Sequence, residues 1–248
     1  MKRLLTPTIL PPLTLLAGCL GLLLRIWLFS TGADESGLLV GGHPAEILIW
    51  LLCAGTLAWL WLGCRPLVAA PKYSFNYPAS AIGAAGCALF ALAFGFTSVT
   101  ELLGRPDTLG LLAAVLGVLA ALALLILAVV RYRGDQPNFL LHALVCISFM
   151  VRLVSLYRQW STDPQLQDYC FQLLATVCLM LSFYYRAAFD VDMGRRRPLA
   201  FFHLATVFFC LLSITHKDFV FFYLPAGIWA MADLCNLAPL PPQTQEDA

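Results

Sequence analysis

Apolar stretches alternate with short polar punctuation along the whole chain. Eight such stretches can be delimited: Ile9–Phe29, Ala45–Gly63, Ala79–Val99, Thr108–Val130, Phe139–Tyr157, Tyr169–Tyr185, Leu199–Ile214 and Phe219–Leu237. A helix needs about 20 apolar residues to cross the hydrocarbon core of a bilayer. The pattern therefore predicts an all-α fold, a polytopic integral membrane bundle of about eight transmembrane helices in a single domain, 1–248. The seventh and eighth stretches are the weakest, because little more than His216-Lys217-Asp218 separates them.

The cationic residues between the stretches set an orientation. Lys2, Arg3, Arg65, Lys72, Arg131, Arg133, Arg186, Arg195, Arg196 and Arg197 fall on one side, whereas Arg105, Arg158 and Lys217 fall on the other. Short loops rich in Lys and Arg stay in the cytoplasm. Both termini are accordingly expected to be cytoplasmic. Trp27, Trp50, Tyr157, Trp160, Tyr184 and Tyr185 lie near the expected interfaces, where amphipathic rings concentrate. At the N-terminus, Leu16-Ala17-Gly18-Cys19 resembles a lipoprotein cleavage signal. The apolar run continues past it to Phe29, which favours a retained first helix.

Composition agrees with the pattern. Of 248 residues, 60% are hydrophobic and 12% charged, against roughly 25% charged in a soluble domain. The net charge of +1 carries no signal for nucleic acid. Nine cysteines occur without a CxxC pair, so they read as small packing residues rather than a disulfide framework or a zinc site. Short loops suit a bacterial cytoplasmic membrane.

Small residues mark where helices should meet. The third stretch carries Ala79, Gly83, Cys87, Ala91 and Gly95 at every fourth position, and the fourth carries Ala113, Gly117 and Ala121. Such faces let helices approach closely in lipid, so these two helices are expected to pack on each other. Pro225-Ala226-Gly227 predicts a break or kink in the eighth stretch. Similar punctuation in the two halves suggests a weak 4+4 helix repeat, 1–133 and 134–248. Chance similarity among apolar helices is the competing explanation.

Ionisable residues inside apolar stretches carry the candidate chemistry, since each is expensive when unpaired. The outer set is Arg25, Glu46, Arg152 and Asp168, with Glu101 near them. These form either Arg25–Glu46 and Arg152–Asp168 pairs or a substrate-binding site for a small anionic solute. Snorkelling to the interface is the simpler alternative. The inner set is His142, Asp190, His203 and Asp233, with Arg186 beside them. It reads as a polar cluster or proton relay, and too few ligands gather there to predict a metal. The Arg195–Arg197 run enforces topology or binds anionic headgroups.

No catalytic, nucleotide-binding or cofactor motif stands out, so the sequence leaves three functions open. One is a small permease or substrate-binding membrane subunit, working with membrane lipids around it and a partner subunit. The second is a non-catalytic structural or accessory subunit. The third is an intramembrane lipid-acting enzyme, which requires the acidic and histidine groups to converge.

Overall fold

A computed structural model describes residues 9–32, 43–67, 70–104, 107–161, 166–215 and 217–237. These residues form nine helices and no strands: α1 (Leu10–Thr31), α2 (Pro44–Gly63), α3 (Tyr73–Asn76), α4 (Ala81–Leu103), α5 (Thr108–Arg133), α6 (Phe139–Trp160), α7 (Leu166–Asp190), α8 (Arg196–Ser213) and α9 (Lys217–Cys235). Six are long and apolar enough to cross a membrane: α1, α2, α4, α5, α6 and the Tyr169–Asp190 part of α7. The chain has the architecture of a multi-pass integral membrane protein. Lys2, Arg3, Arg105 and His216 lie outside the described residues.

Local chemistry sets the helix ends. Pro11 and Pro12 sit in the first turn of α1, where a missing N–H breaks no hydrogen bond, and α1 then runs unbroken through Cys19. The Ser80 hydroxyl, the Asp107 carboxylate and the Asn138 amide oxygen accept first-turn N–H groups of α4, α5 and α6. Gly134 closes α5 at φ 80°, a left-handed conformation that glycine adopts without a Cβ clash.

Helices α4 to α9 form a ring, each packed on the next and α9 packed back on α4. The α1–α2 hairpin stands outside this ring and docks mainly through α1 on α8. Gly18 and Gly21 make that approach possible. A Cβ at either would come within 2.5 Å of Leu211 or 2.6 Å of Leu212. Helix α8 is covered by α7, α9 and the hairpin, so nearly all of it is buried. Its polar side chains therefore face other helices.

The small-residue faces meet as expected. A Cβ at Gly95 would lie 3.3 Å from that of Ala121, and one at Gly117 would lie 3.0 Å from that of Ser98. The Cys87 thiol donates to the Leu124 carbonyl at 3.3 Å. Gly86, off that stripe, instead receives α9 at Ala232. The expected break at Pro225 is absent, since α9 continues helical through it. Proline deletes only one hydrogen bond, and the helix packs on α4 and α8 along its length.

An aromatic core fills the ring. Phe90, Phe94, Phe149, Phe183, Phe222 and Trp229 are all buried and in mutual ring contact. Phe183 and Trp229 stack with centroids 4.0 Å apart. Buried hydroxyls add directional ties between helices: Ser182 to Thr206 at 3.0 Å and Thr176 to Tyr223 at 3.1 Å.

Candidate functional site

The ring carries a polar cluster at each end of its aromatic core. At one end lie the last turn of α7, the first turns of α6 and α8, and the last turns of α9 and α5. The inner set expected from sequence converges here. His142 Nδ1 is 2.6 Å from Asp190 Oδ2. Arg186 bridges the two acids, its NH1 3.4 Å from Asp190 Oδ1 and its Nε 3.6 Å from Asp233 Oδ2. His203 Nε2 lies 3.2 Å from Asp233 Oδ2, near enough for an ion pair but off the line of a well-formed hydrogen bond. All five side chains are buried. Placed one by one in this environment, each charge would be costly; placed together, Arg186 faces both carboxylates.

The tautomers follow from the partners. His203 Nδ1 faces the Leu199 carbonyl at 3.0 Å, and a carbonyl oxygen only accepts. Nδ1 therefore carries a hydrogen. The other nitrogen would then turn a lone pair toward the Asp233 carboxylate unless a proton sits between them.

Three groups complete this cluster that sequence reasoning had left in loops or assigned to topology. The Tyr77 ring lies between two guanidiniums, with Arg186 3.6 Å and Arg131 4.6 Å from its centroid. Such contacts contribute about 2 kcal/mol when desolvated. The Tyr77 hydroxyl approaches Asp233 Oδ2 at 3.4 Å. Burial, reinforced by Asp233, holds the Tyr77 phenol well above its usual pKa, so it remains a neutral donor. Tyr73 packs beside it with the two rings tilted by 30° and their centroids 5.5 Å apart. A cavity of about 20 Å³ remains among Tyr73, Arg131, His142, Arg186 and Asp233, room for a water-sized group. The Tyr73 hydroxyl and Arg131 Nε and NH2 have no hydrogen-bond partner among the described residues.

The segment before α4 closes this end. Tyr73 N–H donates to the Asp192 carboxylate at 2.7 Å, and Gly194 N–H donates to the Pro71 carbonyl. Buried Asn76 donates to the Ala70 and Lys72 carbonyls and accepts from Arg196 Nε. Tyr73 and Tyr77 form one turn of helix and its cap, too short to register as an element in a hydropathy pattern.

At the opposite end, Arg152 of the outer set lines a cleft that Arg25 and Glu46 do not. Arg152 on α6 makes a two-point ion pair with Glu101 on α4, NH1 to Oε2 at 2.9 Å and NH2 to Oε1. Its guanidinium lies 4.7 Å from the Phe222 ring centroid. Arg152 thus pairs with α4, the helix across α5, and the expected pairing with Asp168 lies outside the described residues. Asp168 begins α7, and its side chain lies outside the described residues. Arg25 is 1% exposed and donates from NH1 to the Leu212 carbonyl at 2.7 Å, with Phe171 against its guanidinium. It fastens the hairpin to α8. Glu46 opens α2 and is half-buried.

A cleft of about 520 Å³ opens over the Arg152–Glu101 pair, between α4, α5 and α6, and neither Arg25 nor Glu46 lines it. Ser155, Gln159, Arg158 and Asp107 do, the last two paired at 3.8 Å. The Arg152 side chain is 9% exposed and that of Glu101 is 40% exposed. The anchored cation therefore sits at the cleft floor beneath a more accessible carboxylate. Among the described residues no group of three or more His, Cys, Asp and Glu could hold a metal ion. No family model, no curated protein and no solved structure matches this chain.

Proposed function

We propose that this chain is a small permease, or the substrate-binding membrane subunit of one, for a solute bearing a carboxylate. In this reading it crosses a bacterial cytoplasmic membrane eight times, with both termini cytoplasmic. The supporting observation is the exchangeable pair at the cleft floor: Arg152 is fixed by burial and by Phe222, while Glu101 reaches it from the accessible side. A solute carboxylate can take the place of Glu101 on the guanidinium, because both offer the same two-oxygen geometry. The cleft volume suits a small metabolite. Its walls carry both signs of charge, which favours a zwitterion over a bare anion.

The buried cluster at the other end supplies the coupling. In this reading the His203–Asp233 pair is where a coupling proton binds, and the aromatic core separates it from the solute cleft. Energy comes from an ion gradient or from a partner ATPase subunit. The accessory-subunit reading draws on the same cluster as packing alone. The lipid-acting enzyme would find its acidic and histidine groups converged, yet a cavity of about 20 Å³ beside Tyr73 admits no lipid headgroup.

The test is solute-dependent thermal stabilisation of the purified protein, with individual amino acids and small dicarboxylates as probes. The reading expects at least one to raise the melting temperature of the wild type and not that of Arg152→Gln. Equal stabilisation of both proteins, or none by any probe, would overturn it.

A further inference from the structure

Helix α8 begins with three consecutive arginines beside a groove of about 570 Å³. Pro198, Phe201 and Phe202 form one wall, and Trp61, Leu67 and Tyr185 the other. The walls are ordered by ring contacts: Trp61 meets Phe201 edge-on at 5.7 Å, and Tyr185 stacks on Phe202 at 5.3 Å. Trp61 belongs to the last turn of α2, Tyr185 to the end of α7, and Phe201 to the second turn of α8. The groove therefore sits where helices end, at the level of a headgroup region.

The arginines play different parts. Arg196 is buried and bonds Asn76, so it belongs to the closing segment. Arg197 is exposed and donates to the Arg65 carbonyl, which draws the end of α2 against α8 and fixes the groove's width. Arg195 is exposed at the N-cap of α8 without capping it. Neither Arg195 nor Arg197 makes an ion pair among the described residues, and the nearest acid in the turn, Asp192, is engaged by the Tyr73 N–H. Cationic density thus lies at the mouth of an apolar, aromatic-walled slot. Topology requires the charge but not the slot.

We propose that this groove binds one anionic phospholipid, with the phosphate between Arg195 and Arg197 and an acyl chain along Trp61 and Phe201. The chemistry combines a phosphate-matching guanidinium pair with apolar walls, which neither a neutral lipid nor a soluble phosphate satisfies fully. The site rests on the chain being embedded in a bilayer and not on the permease reading, since a structural protein could hold the same lipid.

The experiment is native mass spectrometry of the full chain released from nanodiscs of mixed phosphatidylglycerol and phosphatidylcholine. The wild type is expected to retain one phosphatidylglycerol in excess of its share of the bilayer. Each arginine beside an anionic headgroup contributes roughly fivefold, so R195Q/R197Q lowers the enrichment about thirtyfold. Trp61→Ala keeps every charge and is expected to lower retention as well. Both faces of a nanodisc are alike, so a change of insertion direction leaves the readout intact. Retention in proportion to the bilayer, unchanged enrichment in R195Q/R197Q, or displacement of the lipid by inorganic phosphate would each overturn the proposal.

Discussion

His203 and Asp233 approach to 3.2 Å from the first half of α8 and the end of α9, while the other nitrogen of His203 donates to the Leu199 carbonyl. Arg186 and Tyr77 face the same carboxylate. Asp233 is therefore the point at which α7, α8, α9 and the segment before α4 converge. Asp233→Asn removes the charge that balances Arg186 and leaves the buried guanidinium with Asp190 alone. A loss of about 3–5 kcal/mol is expected, the usual cost of breaking a buried pair from one side. Exposed Asp135→Asn in the α5–α6 loop is the control and should change little. Unfolding in detergent monitored by tryptophan fluorescence reads the difference.

Tyr77 separates two guanidiniums with its ring rather than its hydroxyl. Tyr77→Phe keeps both cation–ring contacts and loses one long hydrogen bond, so it should cost no more than about 1 kcal/mol. Tyr77→Ala removes the ring and should cost about 3–5 kcal/mol. Similar losses in the two variants would show that the hydroxyl is what matters.

The α4–α5 contact permits a covalent test. Gly95 and Ala121 face each other at Cβ distance. In a background lacking the native cysteines, Gly95→Cys with Ala121→Cys should form a disulfide under mild oxidation. Gly55, which faces open space on α2, is the unpaired control partner. Electrophoretic mobility after oxidation reports the outcome, and a pair that stays reduced would place these faces apart.

The two arginines expected to act together should part company. Arg25→Gln removes a charged donor from the Leu212 carbonyl and loosens the α1–α2 hairpin, at about 1.5–3 kcal/mol. Arg152→Gln should retain most of the stability, because its partner Glu101 is 40% exposed and can be hydrated. What it should lose is stabilisation by solute. Melting curves with and without solute separate the two effects.

The apolar runs alone placed eight of the nine helices to within about five residues, and six of these are long and apolar enough to cross a membrane. The grouping of the inner residues was legible too: His142 meets Asp190 and His203 meets Asp233. Neighbourhood was not. Nothing in the sequence heights singled out Glu101, which the packing of α4, α5 and α6 brings to Arg152. The contact of α4 with α9 joins segments far apart in the chain, and no periodicity encodes it. Arg25 reads identically to Arg152 in a hydropathy pattern; only the presence of α8 behind it makes one a fastener and the other a cleft floor. Tyr73 and Tyr77 escaped notice because a single turn of helix in a basic loop has no apolar signature.

The proposed function requires the solute cleft and the buried His203–Asp233 cluster to lie nearest opposite faces of the membrane. A membrane-impermeant thiol reagent applied to sealed right-side-out and inverted vesicles tests it directly. The probes are Gln159→Cys in the cleft and Met193→Cys in the exposed α7–α8 turn, each in a cysteine-free background. The account predicts that Gln159→Cys labels only in right-side-out vesicles and Met193→Cys only in inverted ones. Labelling of both positions from the same side would contradict it.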